Sequence, residues 1–288
     1  MKVYLNGKLL EKEKAVISVF DHGLLYGDGV FEGIRTYDKL IFRLKEHIDR
    51  LYKSADAIEL KIPMTKAKLI EAIIKTLKAN KLSDAYIRLV VTRGPGDLGL
   101  DPRKCKKATV FIITDKIKLY PERFYQEGLA IVTAVTRRNY PKSLDPRIKS
   151  LNYLNNILAK IDAIKAGTDE AIMLTHDDYV AECTGDNIFI VKNGELITPP
   201  VSIGALEGIT RDAVIKIARD MEMPFFERLL RMEDVYSSDE VFLTGTAAEI
   251  IPVVKIDERK IDGGRPGAVT LRLMEAFKKL TKVDGVKY

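Results

Sequence analysis

Cysteine is scarce in this chain of 288 residues, which holds only Cys105 and Cys183. The two lie far apart and form no CxxC pair, so neither a disulfide framework nor a cysteine zinc site is expected. Histidine is nearly as rare. His22, His47 and His176 make no HExxH motif and no close pair, which argues against a transition-metal enzyme built on imidazole, and no metal is expected. No apolar run approaches the roughly 18 to 20 residues of a spanning helix, and the opening MKVYLNGKLLEKEK lacks the charged-then-apolar layout of a signal peptide. The expectation is a soluble, cytoplasmic protein without a membrane partner. Nor is charge of one sign concentrated: 47 Lys and Arg against 41 Asp and Glu give +6, but both signs are interspersed. A nucleic-acid partner would need clustered basic residues with exposed aromatics, so none is expected. The single glutamine, Gln126, beside abundant Lys and Glu is the drift seen in proteins of hot environments.

What is present is enough apolar material for a sizeable core: 46% of residues are hydrophobic and 31% charged, a balance far from that of disordered chains. Asn6-Gly7 inside Val3–Leu10 reads as a hairpin turn, and a further strand follows near 33–37. Apolar residues at three- and four-residue spacing predict helices over 44–57 (Leu44, Ile48, Leu51) and 65–79 (Leu69, Ile73, Leu77). Strands at 86–92 and 109–114 complete a first unit, and the stretch 116–127 with Pro121 reads as a connection. Beyond it come strands at 129–136, 170–174, 179–182, 187–191, 195–198, 240–244 and 250–256, with helices at 153–166, 210–221 and 267–279. Hairpins mixed with helices, without strict alternation, predict an α+β protein of two domains with mixed sheets. The boundaries expected are 1–117 for a small N-terminal domain, 118–127 for the connection and 128–288 for a larger domain.

Four stretches put ionisable or small polar residues where a core would want apolar ones. In HGLLYGDGVFEGIRTY, residues 22–37, glycines permit tight turns or close ligand approach, though a packed glycine-rich hairpin accounts for them equally. Lys149 stands just before an amphipathic helix, a position that also suits a solvated surface charge. Glu182 ends a strand in VAECTGDN, where an ordinary polar turn is the alternative. Glu207–Arg211 at a helix start and Thr244–Ala248 after a strand suit an anion, although Thr210 equally suits a helix cap. A lysine, a distant carboxylate and an anion-binding helix start are the parts a pyridoxal phosphate enzyme needs.

The combination resembles the branched-chain amino acid aminotransferases, of the fold-type IV (class IV) pyridoxal phosphate family, over nearly the whole chain. The motifs are FEGIR, FRLKEHIDRL, YIR, the lysine before NYL, AECTGDNIF, GITRD and GTAAE, in that order. The resemblance implies a small α/β N-terminal domain with a larger, barrel-like C-terminal one, pyridoxal 5'-phosphate as cofactor, and a ping-pong exchange of amino groups between Leu, Ile or Val and 2-oxoglutarate. It implies that Lys149 carries the cofactor covalently and shuttles the proton, and that Glu182 faces the pyridine nitrogen. Arg50, Ile209, Thr210 and Thr246 would hold the phosphate, and Tyr153 the phenolic oxygen.

For the substrate the resemblance implies Phe31, Gly33, Tyr86 and Arg88 around the side chain and Ala247, with Thr246, near the α-carboxylate. One pocket must then take an aliphatic side chain and the acidic one of glutamate, and apolar Phe31 with polar Tyr26, Tyr86 and Arg88 suits both. Tyr26 and Leu100 match positions that the family contributes across a dimer interface, which implies a homodimer or a higher assembly built on it. A D-amino acid aminotransferase or an aminodeoxychorismate lyase would share Lys149, Glu182, Arg50 and GITRD. YIR and GTAAE look more like the branched-chain group.

Overall fold

The computed structural model describes residues 1–116 and 120–288. Two compact units make up the chain. The first comprises Met1–Ile117, Ile148–Asn152 and Thr281–Tyr288, and the second Lys118–Arg147 and Tyr153–Leu280. Residues 148–152 and 281–288, expected in the C-terminal domain, thus pack with the N-terminal one. Of the connection expected over 118–127, residues 118 and 119 lie outside the described residues.

In the first unit Asn6 and Gly7, both at positive φ, turn β1 (Lys2–Leu5) into β2 (Lys8–Glu11), as a tight hairpin requires. The short helix α1 (His22–Tyr26) leads into the long strand β3 (Gly29–Tyr37), followed by β4 (Leu40–Phe42). Helices α2 (Leu44–Ala57) and α3 (Lys66–Ala79) precede β5 (Ala85–Thr92) and β6 (Thr109–Asp115). The chain's last strand, Gly285–Lys287, joins beside β4, giving a seven-stranded sheet in the order last strand, β4, β3, β5, β6, β1, β2. Every pairing in it is antiparallel. The apolar stripes read from the sequence form the core: Leu44, Ile48 and Leu51 of α2 and Leu69, Ile73 and Leu77 of α3 cluster with Ile34, Ile87, Leu89 and Val91. Thr65 caps α3, its hydroxyl accepting the Lys68 N–H at 3.3 Å, which satisfies a donor with no acceptor inside the helix.

The second unit begins with α4 (Arg123–Glu127), β7 (Leu129–Thr133) and α5 (Leu154–Lys165). Strands β8 (Ala171–Leu174), β9 (Val180–Cys183), β10 (Asn187–Lys192) and β11 (Glu195–Thr198) follow. Then come α6 (Ile209–Asp220), β12 (Phe225–Glu227), α7 (Met232–Tyr236), β13 (Glu240–Gly245), β14 (Glu249–Ile256), β15 (Arg259–Lys260) and α8 (Ala268–Leu280). Its sheet runs β12, β11, β10, β13, β14, β7, β8, β9, with β15 on β14. Parallel steps at β11–β12, β14–β7 and β7–β8 make it mixed, and β9 at one end returns to touch β10. Phe189 and Phe242, stacked with centroids 5.1 Å apart, fill space between neighbouring strands. Both units are α+β, as the sequence predicts. Among the described residues no helix is long and apolar enough to cross a membrane.

Candidate active site

In the first unit β3 and β5 pair so that Phe31, Gly33 and Arg35 lie opposite Val90, Arg88 and Tyr86. Period-two alternation puts Phe31, Gly33, Tyr86 and Arg88 on one face of the sheet. Gly33 is required there because a Cβ would run into the Tyr86 hydroxyl. The Arg88 guanidinium lies 4.6 Å from the Phe31 ring centroid and 5.4 Å from that of Tyr86. Among the described residues no carboxylate pairs with it.

Lys149 joins this face because residues 148–152 run along the start of β3. Phe31 donates its N–H to the Lys149 carbonyl at 3.0 Å and Leu151 donates to Gly29 at 2.9 Å, while the Lys149 N–H goes to the Ser54 hydroxyl of α2 at 3.1 Å. The lysine's Nζ then sits 4.7 Å from the Phe31 centroid, within range of a cation–π attraction.

Arg50 belongs to the opposite face of β3. Its Nε and Nη2 donate to the two oxygens of fully buried Glu32 at 2.7 and 2.8 Å, and His47 Nδ1 donates to the same carboxylate at 2.7 Å. Burial works to raise the Glu32 carboxyl, but the Arg50 and His47 partners outweigh it and hold the group at about 2. Burial pushes the His47 imidazole below its ordinary value; Glu32 opposes that shift, whereas the positive charges of Arg50 and Lys149 add to it. Glu32 uses two of the five guanidinium N–H groups and fixes the plane of the fork.

Tyr26 and Leu100 face solvent, Leu100 at 79% exposure. The Tyr26 hydroxyl donates to the Leu98 carbonyl at 2.6 Å, and the ring of buried His22 bonds the Asp97 carbonyl at 2.8 Å. These bonds tie α1 to the segment that carries Leu100.

In the second unit Glu182, the third residue of β9, is 4% exposed. Arg138 Nη2 meets its Oε1 at 2.6 Å. Its Oε2 accepts from the Leu206 N–H at 2.9 Å and from Asn187 Nδ2 at 3.3 Å. Arg138 also donates to Asn156 Oδ1 on α5 at 3.0 Å, so the helix begun by Tyr153, its N-cap residue, is anchored to the same carboxylate. Asn187 Nδ2 donates to the Leu206 carbonyl at 2.9 Å as well, binding Glu182 to the segment that enters α6.

That helix opens with Gly208 as its N-cap and no side-chain cap bond, followed by Ile209 and buried Thr210. The first N–H groups of a helix have no acceptor within it, and the dipole there favours an anion. A Cβ at Gly208 would collide with Asn187, and one at Gly245 with Asp186, so backbone lies close at both places. Gly245 begins the turn carrying Thr246 and Ala247, and buried Thr244 just before it has a hydroxyl with no partner among the described residues. Arg211 serves structure instead, donating to the Pro199 carbonyl at 3.2 Å and to Glu227.

Sequence reasoning missed Glu32, His47, Ser54, Arg138, Asn156 and Asn187. Glu32 carried a usable signal, an acid flanked by Val30, Phe31 and Ile34 in the first part of a strand. Arg138 lies in a loop without periodicity and carried none.

Residues 29–256 match the family model described as amino-transferase class IV. The chain is 54% identical over 287 residues to a Methanocaldococcus jannaschii protein provisionally named a branched-chain-amino-acid aminotransferase, covering 100% of this chain and 99% of that one. It is similar to the crystal structure of the Escherichia coli branched-chain amino acid aminotransferase, with a TM-score of 0.95, 36% identity and coverage of 97% and 94% of the two chains. It is also similar to the T.th. branched-chain amino acid aminotransferase complexed with N-(5'-phosphopyridoxyl)-L-glutamate, with a TM-score of 0.92, 38% identity and coverage of 98% and 94%. That enzyme has been solved with 4-methylvaleric acid too.

Proposed function

Since the chain belongs to the class IV aminotransferases, we propose that it is a pyridoxal 5'-phosphate enzyme. In this reading it moves the amino group between leucine, isoleucine or valine and 2-oxoglutarate in alternating half-reactions. One observation carries the reading: Phe31 is approached both by the Lys149 amine and by an arginine, Arg88, that no carboxylate among the described residues neutralises. An apolar ring suits a branched aliphatic side chain, and the guanidinium suits the distal carboxylate of the acidic partner. The two T.th. complexes, one with a glutamate adduct and one with a branched acid, support the same double demand.

The donor set fits pyridoxal 5'-phosphate. In the second unit the start of α6 with Ile209 and Thr210 and the turn at Thr246 suit a phosphate, and a buried carboxylate at Glu182 suits a protonated ring nitrogen; in the first unit the oriented Arg50 fork likewise suits a phosphate. Tyr153 would donate to the phenolic oxygen. When bound, the cofactor supplies an electron-withdrawing ring that stabilises negative charge at the substrate's Cα. Lys149 would hold it covalently at rest and, with its amine released when the amino acid displaces it, would take the proton from Cα and return it in the reverse direction. Glu182 would accept the hydrogen bond of a protonated ring nitrogen. Phe31, Gly33, Tyr86 and Arg88 receive the side chain, and Thr246 and Ala247 the α-carboxylate. Exposed Tyr26 and Leu100 support a homodimer in which these two residues serve the second copy's site. Two free cysteines suit a reducing compartment such as the cytoplasm.

The test is an amino-donor panel with 2-oxoglutarate as acceptor, run on both enantiomers of each amino acid. Turnover of L-leucine, L-isoleucine and L-valine above all D-amino acids is the expected result. Preference for D-alanine or D-glutamate would replace the reading by that of a D-amino acid aminotransferase.

A further inference from the structure

Glu182 and Asn187 flank one tight turn, Cys183–Asp186, between β9 and β10. The Cys183 N–H closes it on the Asp186 carbonyl at 2.8 Å. Because Glu182 lies just before the turn and Asn187 just after it, the turn's conformation sets where the Glu182 carboxylate points. Two side chains grip its second residue from opposite sides. Asn156 donates to the Thr184 carbonyl at 2.8 Å, and the Thr184 N–H donates to Glu170 Oε1 at 2.8 Å.

Glu170 stands immediately before β8 and is 2% exposed. Its Oε1 also takes the Ala171 N–H at 2.8 Å. Its Oε2 takes the Tyr120 hydroxyl at 3.3 Å and faces Lys160 Nζ at 3.5 Å. A buried carboxylate is tolerated only when donors surround it, and here two backbone N–H groups, a phenol and a lysine do so. Burial raises the Tyr120 phenol, and the acids Asp186 and Glu170 raise it further, so it remains a donor. The Cys183 thiol is raised by burial and then by Glu170, Asp186 and Glu182, which reflects how closely the three carboxylates converge on the turn.

We propose that Glu170, locked by Tyr120, is a positioning residue that aims Glu182 by holding the Thr184 N–H. The proposal rests on the reading that Glu182 faces the cofactor's ring nitrogen. An amide at position 170 keeps the volume but either turns its NH₂ to the Thr184 N–H and loses that bond, or turns it toward Tyr120, whose hydroxyl can accept, and Lys160, and keeps the Thr184 N–H only on a neutral, weaker acceptor. Either choice loosens the turn.

The test uses holoenzyme loaded with pyridoxal phosphate carrying ¹⁵N in the ring, and reads the ring-nitrogen signal alongside the single-turnover rate with leucine. For Glu170→Gln the signal should move toward the deprotonated value and the rate fall roughly tenfold, a loss typical of disturbed catalytic geometry. The leucine Kd should stay within about twofold. Tyr120→Phe should move both in the same direction by less, and it carries the test alone where Glu170→Gln yields no folded protein. Glu240→Gln is the control: Glu240 is a buried acid of the same unit that accepts the Val269 and Thr270 N–H groups of α8 at 2.9 and 2.7 Å. It should lower Tm and leave the ring signal in place. An unmoved signal in Glu170→Gln with a Tm loss like the control's would make Glu170 purely structural and overturn the proposal. An unmoved signal in Glu182→Gln would instead overturn the reading beneath it, and the proposal with it.

Discussion

Lys149 and Phe31 hold each other twice: the lysine's Nζ lies 4.7 Å from the ring centroid, and the Phe31 N–H bonds the Lys149 carbonyl at 3.0 Å. The backbone bond anchors the lysine's main chain to β3, and the ring stands beside its amine. The substitution Lys149→Ala removes the amine with its aliphatic stem and leaves the backbone bond. Transamination should fall by at least about a thousandfold, the scale of a lost acid–base group, with Tm nearly unchanged. Cofactor should still be retained through its phosphate, but without the visible absorption of the attached form. A borohydride-reducible link to the variant would assign the role to another lysine.

Glu182→Gln leaves Arg138, itself 8% exposed, facing an amide. Breaking one side of a buried ion pair costs about 3 kcal/mol, so stability should drop while cofactor remains bound. The half-reaction with leucine should slow at least about tenfold, because a neutral amide cannot stabilise a protonated ring nitrogen. An unchanged single-turnover rate would return Glu182 to the bland role of a turn carboxylate.

Arg88→Leu should separate the two substrates. Losing a charged hydrogen-bond donor costs about 2 to 3 kcal/mol, so kcat/KM for 2-oxoglutarate should fall roughly a hundredfold. The leucine half-reaction should change by less than about threefold. Equal losses for both substrates would mean that Arg88 supports the sheet face and reads no carboxylate.

Acid should loosen the first unit in two stages. His47 is held below its ordinary 6.5, so the unfolded chain binds its proton first and stability declines as pH drops below 6.5. Glu32 is held at about 2 against 4.5, so its contribution is complete above pH 4.5 and is lost as pH falls toward 2. Hydrogen exchange of β3 and β5 amides should therefore accelerate from pH 6.5 downward and more steeply below 4.5, after correction for intrinsic rates. In His47→Gln the upper stage should vanish and the lower persist. If both stages survive that substitution, the assignment to His47 is wrong.

The long elements were legible because their cores are periodic: α2 is read at its observed bounds from Leu44, Ile48 and Leu51, and α3 needs only Thr65 moved from first residue to cap. β3 begins at Gly29, not near Gly33, because its first half carries glycines and an acid that sheet pairing overrides. The short elements α1, β4, β12 and α7 left no pattern, since three to five residues hold too few repeats to register a period. Lys149 could be found through its motif neighbours alone. Nothing local announces that residues 148–152 run along a strand formed far earlier in the chain. Arg138 was invisible because its partner, Glu182, is set by tertiary packing and not by spacing.

The strand Gly285–Lys287 pairs with β4, Asp284 takes the Arg43 Nε at 2.9 Å, and the Tyr288 hydroxyl reaches the Leu82 carbonyl at 2.6 Å. During synthesis, then, the first unit's sheet is completed only after the strands of the second unit have been made. Until residues 285–287 clear the ribosome, β4 is an open edge able to pair with another chain. Shortening the chain by the residues from Thr281 onward would thus give a nascent protein prone to aggregate, although the deletion lies outside every catalytic motif in the sequence.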